Sequence, residues 1–188
     1  MNSYHLSKEE LAIELKQIKA AQKNPKHFDV LYDKYYKLIF VFIYKRVDDE
    51  NISADITSTV FLKALINIKK YKDKGLPFSS WLFRIAFNET NMHFRATNRT
   101  RTISIEESGI VLMVKESHIE EHSEALNKMK DAIAQLDEKA LHFIELRFFE
   151  QHSFAEVGNI LGITENNAKV KTYRILDKLK RIIKKRRD

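Results

Sequence analysis

From Ser153 to Asp188 the chain has room for little besides two helices hinged on a glycine. Ser153-Phe154-Ala155-Glu156 is a capping box, in which the serine hydroxyl accepts from the Glu156 backbone N–H and the glutamate reaches back. Phe154, Val157, Ile160 and Leu161 then repeat at helical spacing. Gly162 suits the left-handed residue that ends such a helix, and Thr164 is a ready N-cap for the next. That second helix opens with Glu165, Asn166, Asn167, Lys169 and Lys171 and runs into a Lys/Arg-dense tail. Short polar and basic groups on an exposed first turn are what a recognition helix needs to meet base edges and phosphates in a major groove. The pattern points to DNA binding.

Breakers are scarce elsewhere. Four Gly and two Pro in 188 residues, with 44% hydrophobic residues to build a core, predict an all-α protein. No stretch has the length of a membrane span and the first residues lack a signal-peptide run, so no membrane insertion and a cytoplasmic location are expected. The absence of cysteine excludes disulfides and thiolate metal sites. The charge is unevenly spread. Residues 1–98 carry net +5, residues 99–124 net −3 and residues 125–188 net +5. Basic blocks favour a polyanion, whereas an acidic connector avoids one or takes its place.

A helix is predicted from Ser7, boxed with Glu10 and stapled by Leu6 against Leu11, and a second from Pro25 to Val47, rich in aromatic core residues. Asp48-Asp49-Glu50 reads as a solvated turn, followed by helices at about 53–70 and 79–98. Residues 99–124 show no sustained periodicity and read as a flexible linker; helices at 124–136 and 138–149 precede the two C-terminal ones. The fourth helix interleaves Trp81, Phe83, Phe87 and Phe94 with Arg84, Asn88, Asn91 and Arg95, beside a loop bearing Lys69, Lys70, Lys72 and Lys74. Rings next to cations can hold unpaired bases, although most such rings pack in cores.

Taken together and in order, three segments resemble those of bacterial sigma factors of the extracytoplasmic-function (ECF) class, over about residues 25–98 and 125–185. Ala54–Ala64 resembles the segment that grips a coiled coil of core RNA polymerase, which implies contacts at Asp55, Ile56, Val60, Phe61 and Lys63. Phe78–Asn88 resembles the promoter-melting segment. This implies capture of an unstacked −10 base by the loop Lys72, Asp73, Lys74 to Leu76 and by Asn88, with Arg84, Asn91 and Arg95 along the strand. Phe154–Thr164, continuing through Arg174, resembles the −35 helix-turn-helix, implying Thr164, Asn166, Asn167, Lys169, Lys171, Tyr173 and Arg174 as DNA contacts. The chain departs from the family at Ser58 and Thr59, often Gln and Glu, and at Asn166-Asn167-Ala168, commonly Gly-Thr-Val. The resemblance implies two helical domains, 1–98 and 125–188, joined by the acidic linker 99–124. It further implies core RNA polymerase, promoter DNA and an anti-sigma factor as partners, no cofactor and no enzymatic activity.

Three other classes compete, one of them a pure interaction module that uses the basic surface to bind an acidic protein and would show little promoter-sequence preference. A free-standing helix-turn-helix regulator would leave the melting-type segment without a task and would favour palindromic sites. His118-Ile119-Glu120-Glu121-His122 matches a zinc-protease spacing, but it lies in the polar connector with no apolar helix to build a dry site. No Gly-rich phosphate loop accompanies it.

Overall fold

The computed structural model describes residues 6–97, 107–117 and 123–185, which are helices and their connections, with no strand among them. The chain divides into two compact units, Met1–Ile103 and Ser104–Asp188.

In the first unit α1 (Lys8–Lys23) starts at the expected capping box: Ser7 and Glu10 bond each other's backbone N–H. The long helix expected from Pro25 is in fact a 3-10 turn, Pro25–Phe28, followed by α2 (Asp29–Val47). Asp48 takes a left-handed φ of 54° to end α2, and Asp49 accepts the Ile52 N–H to cap α3 (Glu50–Asn67). The expected solvated turn is therefore a two-residue helix junction, and α3 starts earlier than its apolar pattern suggests. A 3-10 turn, Ile68–Lys70, and a loop holding Gly75 and Pro77 lead to α4 (Phe78–Thr97). The core lies among α2, α3 and α4, where Leu31, Ile39, Ile43, Val60, Ala64, Leu82 and Phe83 are sealed from solvent. Phe42 and Phe83 meet there with ring centres 4.8 Å apart.

The second unit contains α5 (Glu107–Glu116), α6 (Ser123–Ile133), α7 (Glu138–Ile144), α8 (Phe154–Leu161) and α9 (Glu165–Lys185). Part of the segment expected as linker is thus helical. Ile110, Met113 and Val114 on α5 are fully buried, and the helix packs on α6 and the turn after α7. Ten residues are too few to hold a helix in water; a short apolar stripe becomes one because a groove covers it. The helix expected over 138–149 ends early and continues as a π turn, Glu145–Phe149.

Candidate nucleic-acid interface

The C-terminal surface is built at the junction of α8 and α9. The Ser153–Glu156 capping box is present, and Gly162 at φ 73° ends α8 as expected. A second glycine also matters. A Cβ on Gly158 would come within 2.9 Å of the Ile163 carbonyl oxygen, so the following turn can approach α8 only because position 158 has no side chain. Mid-helix glycine in an otherwise regular apolar pattern was the available signal.

Thr164 caps α9, its Oγ1 accepting the Asn167 N–H at 3.3 Å. Ala168, Thr172, Leu176, Leu179 and Ile183 face inward. Asn166, Asn167, Lys169 and Arg174 consequently stand in solvent around the first turns, where free N–H groups and the helix dipole attract phosphate. Two expected contacts are partly engaged elsewhere. The Tyr173 ring lies 5.9 Å from Phe154, and the Lys171 ammonium sits 5.8 Å from the Phe143 ring centre on α7. Behind this surface His152 and Glu156 are buried, with Nδ1 and Oε1 3.9 Å apart. Burial alone would raise the Glu156 pKa; His152 and the Ser153 N–H and hydroxyl outweigh it and hold the carboxyl below its ordinary value.

The N-terminal surface is made differently. Arg84, Asn88, Asn91 and Arg95 follow helical spacing along one face of α4, from half-buried Arg84 to exposed Arg95. Beside them a pocket of about 380 Å³ opens between α3 and α4, lined by Lys63, Asn67, Lys70, Trp81, Asn88 and Glu89. An aromatic ring, two amides and Lys70 offer a base its stacking surface, edge partners and phosphate neutralisation, while Lys63 is paired with Glu89. Trp81 is half-buried and also packs against Tyr71 and Phe78, at 5.2 and 5.3 Å, so it belongs to both core and pocket. In the adjoining loop Lys72 and Lys74 are exposed, while Asp73 accepts the Gly75 N–H at 2.8 Å and holds the turn.

The polymerase segment needs correction. Ile56, Val60 and Phe61 are 8%, 0% and 3% exposed and belong to the core, so they do not offer a surface. Lys63 is turned toward α4, its ammonium 2.6 Å from Glu89. Asp55 is exposed as expected, and the apolar residues standing out from α3 are Leu62 and Ile66, at 57% and 68%. Helical spacing sets Ile56, Val60, Phe61, Ala64 and Ile68 inward and leaves Leu62 and Ile66 outside; the resemblance, not the spacing, put buried residues at the polymerase contact.

Of the acidic connector, Glu116 pairs with Arg147 at 3.0 Å. The His118–His122 spacing, with Glu120 and Glu121, lies outside the described residues, as do Glu106 and Arg186-Arg187 in the tail. No helix among the described residues is long and apolar enough to cross a membrane.

Comparison with known proteins resolves what these surfaces belong to. Residues 31–100 match the family described as Sigma-70 region 2, and residues 132–181 match Sigma-70, region 4. The chain is 30% identical over 155 residues to the RNA polymerase sigma factor SigZ of Bacillus subtilis, covering 81% of this chain and 85% of SigZ. The chain belongs to the sigma-70 family. Within it, the chain falls in the ECF class: it is 30% identical over 158 residues to the ECF RNA polymerase sigma factor BldN of Streptomyces coelicolor. That match covers 83% of this chain and spans 60% of BldN's length. The structure of CnrH in complex with the cytosolic domain of CnrY shares the fold, with a TM-score of 0.57 at 18% identity over 91% of this chain and 97% of that one. In this sigma factor α1 precedes the region 2 match and α5 precedes the region 4 match, so both helices lie outside the recognised segments.

Proposed function

We propose that this chain is a promoter-specificity subunit that binds core RNA polymerase, directs it to −35 and −10 elements and assists opening of the duplex. The residue assignments follow from accessibility. Asn166 and Asn167 on α9 read bases at −35, while Lys169 and Arg174 neutralise phosphates or meet guanine edges. The loop Lys72–Leu76, Asn88 and the pocket between α3 and α4 take an unpaired base of the −10 strand, with Arg84, Asn91 and Arg95 guiding the strand along α4. The outer stripe of α3, with Asp55, Leu62 and Ile66, meets polymerase in place of the buried Ile56, Val60 and Phe61. Residues 1–98 serve core and −10 binding, residues 125–188 serve −35 binding, and part of the segment between them is ordered as α5.

The observation that carries this reading is the pocket with Trp81 and Asn88 in the same chain as a presented recognition helix. A duplex-reading regulator has no use for a pocket lined by a ring and amides that suit an unpaired base. The work of opening comes from binding free energy, since flipping a base costs a few kcal/mol that stacking and edge contacts offset. The chain therefore acts by binding rather than as an enzyme, in the cytoplasm with the polymerase, and needs no cofactor. An anti-sigma factor is a further partner implied by the class; the related CnrH is itself seen bound to the cytosolic domain of CnrY.

The test is reconstitution with core polymerase and run-off transcription from a genomic promoter pool. Stable association with promoter-dependent transcripts, both weakened by Asp55→Lys, is expected. Sequence-specific DNA binding by the chain alone, without association with core, would contradict it.

A further inference from the structure

α1 lies ahead of the matched region 2 segment, yet it holds both ends of the loop that precedes α4. Glu14 is only 1% exposed. Its Oε2 accepts the Phe78 N–H at 2.7 Å, in the first turn of α4. Its Oε1 accepts from the Lys34 ammonium at 2.8 Å and from the Tyr35 hydroxyl. Two turns further along α1, Gln22 donates to the carbonyls of Ile68 at 3.0 Å and Tyr71 at 3.1 Å. The two side chains are separated by about 12 Å of helix rise. They fasten the chain on either side of Lys72–Pro77.

Between those points the loop is not packed down. A groove of about 230 Å³ separates it from α1, with Leu11, Leu15 and Ile18 on one wall and Asp73, Gly75 and Leu76 on the other. The loop is thus fixed at its ends and open in the middle. A helix that served only to cover apolar surface would place an aliphatic residue at position 14, because a buried carboxylate is costly unless it is fully bonded. Glu14 is instead aimed at an N–H that no residue within α4 can satisfy, at a helix end whose dipole favours negative charge.

We infer that α1 positions the −10 capture loop, with Glu14 and Gln22 as its positioning residues, so that the base taken at −10 depends on a segment outside the recognised domain. The inference rests on the proposed role of the loop in −10 capture.

Gln22→Ala is the primary variant, since it removes the two loop bonds from a half-buried site and leaves the apolar face of α1 intact. Glu14→Ala and Glu14→Gln complete the set; the glutamine retains an acceptor for Phe78. Amide hydrogen exchange of residues 71–76 is measured on the full chain, and base selection on the holoenzyme with a randomised single-stranded −10 library. In Gln22→Ala the loop amides exchange about three- to tenfold faster, and enrichment of the preferred base falls by a similar factor. Binding to −35 duplex stays unchanged, and Glu14→Gln recovers part of what Glu14→Ala loses. Unchanged loop exchange and unchanged enrichment in Gln22→Ala and Glu14→Ala would overturn the inference. A wild-type holoenzyme that enriches no base would overturn the −10 reading instead, while loop exchange alone would still decide whether α1 holds the loop.

Discussion

The two DNA-facing surfaces of this chain solve recognition in opposite ways. On α9 the reading side chains simply project: a glycine turn and a threonine cap set the helix angle, and Asn166, Asn167 and Lys169 extend into solvent. Around α4 the surface is recessed: an open pocket lies between two helices, and the preceding loop is tied from behind by Glu14 and Gln22. A duplex already holds its base edges in order, so a presented helix suffices. An unpaired strand has no order of its own, and the protein must supply the geometry.

Substitutions separate the two modes. The largest effect is expected from Gly158→Val, which forces side-chain atoms against the backbone of the turn before α9. The second unit should lose about 3 kcal/mol in urea unfolding and −35 binding with it, leaving the first unit's transition in place. Trp81→Ala should weaken holoenzyme binding to −10 single strands by roughly 2 kcal/mol, with −35 duplex affinity unaffected. Asn167→Ala should cost about 1–2 kcal/mol on the preferred −35 sequence and relax one position. Lys169→Ala should weaken all sequences alike and reduce the salt slope by about one, as titrations in rising salt would show.

The smallest effect concerns acid stability. The Glu156 carboxyl titrates below its ordinary 4.5 when folded, so its contribution is complete above that value and is lost as pH falls through the lower, folded one. Urea midpoints of the second unit should therefore drop more steeply below pH 4.5 in wild type than in Glu156→Gln. Equal slopes would show that Glu156 does not drive the acid transition.

The presented surface was legible in the sequence and the recessed one only in part. Caps are local chemistry, so Ser7 with Glu10, Ser153 with Glu156, and Gly162 each marked a boundary that the structure has. What the sequence hid depends on partners distant along the chain. Glu14 meets Phe78 across 64 positions, and nothing near Glu14 announces it. The spacing of α3 set Val60 and Phe61 inward, as they are found, but nothing in it marked the exposed Leu62 and Ile66 as a surface for a partner. α5 lies in an acidic, aperiodic stretch, and its Ile110, Met113 and Val114 acquire meaning only against the groove they fill.

The central claim is that one chain reads two dissimilar elements through these two surfaces. The most direct measurement is selection by the reconstituted holoenzyme from promoter libraries randomised at both elements, with wild type, Asn167→Ala and Asn88→Ala in parallel. Two different boxes should emerge, the upstream one relaxed only by Asn167→Ala and the downstream one only by Asn88→Ala. A single palindromic site, or one box altered by both variants, would contradict the account.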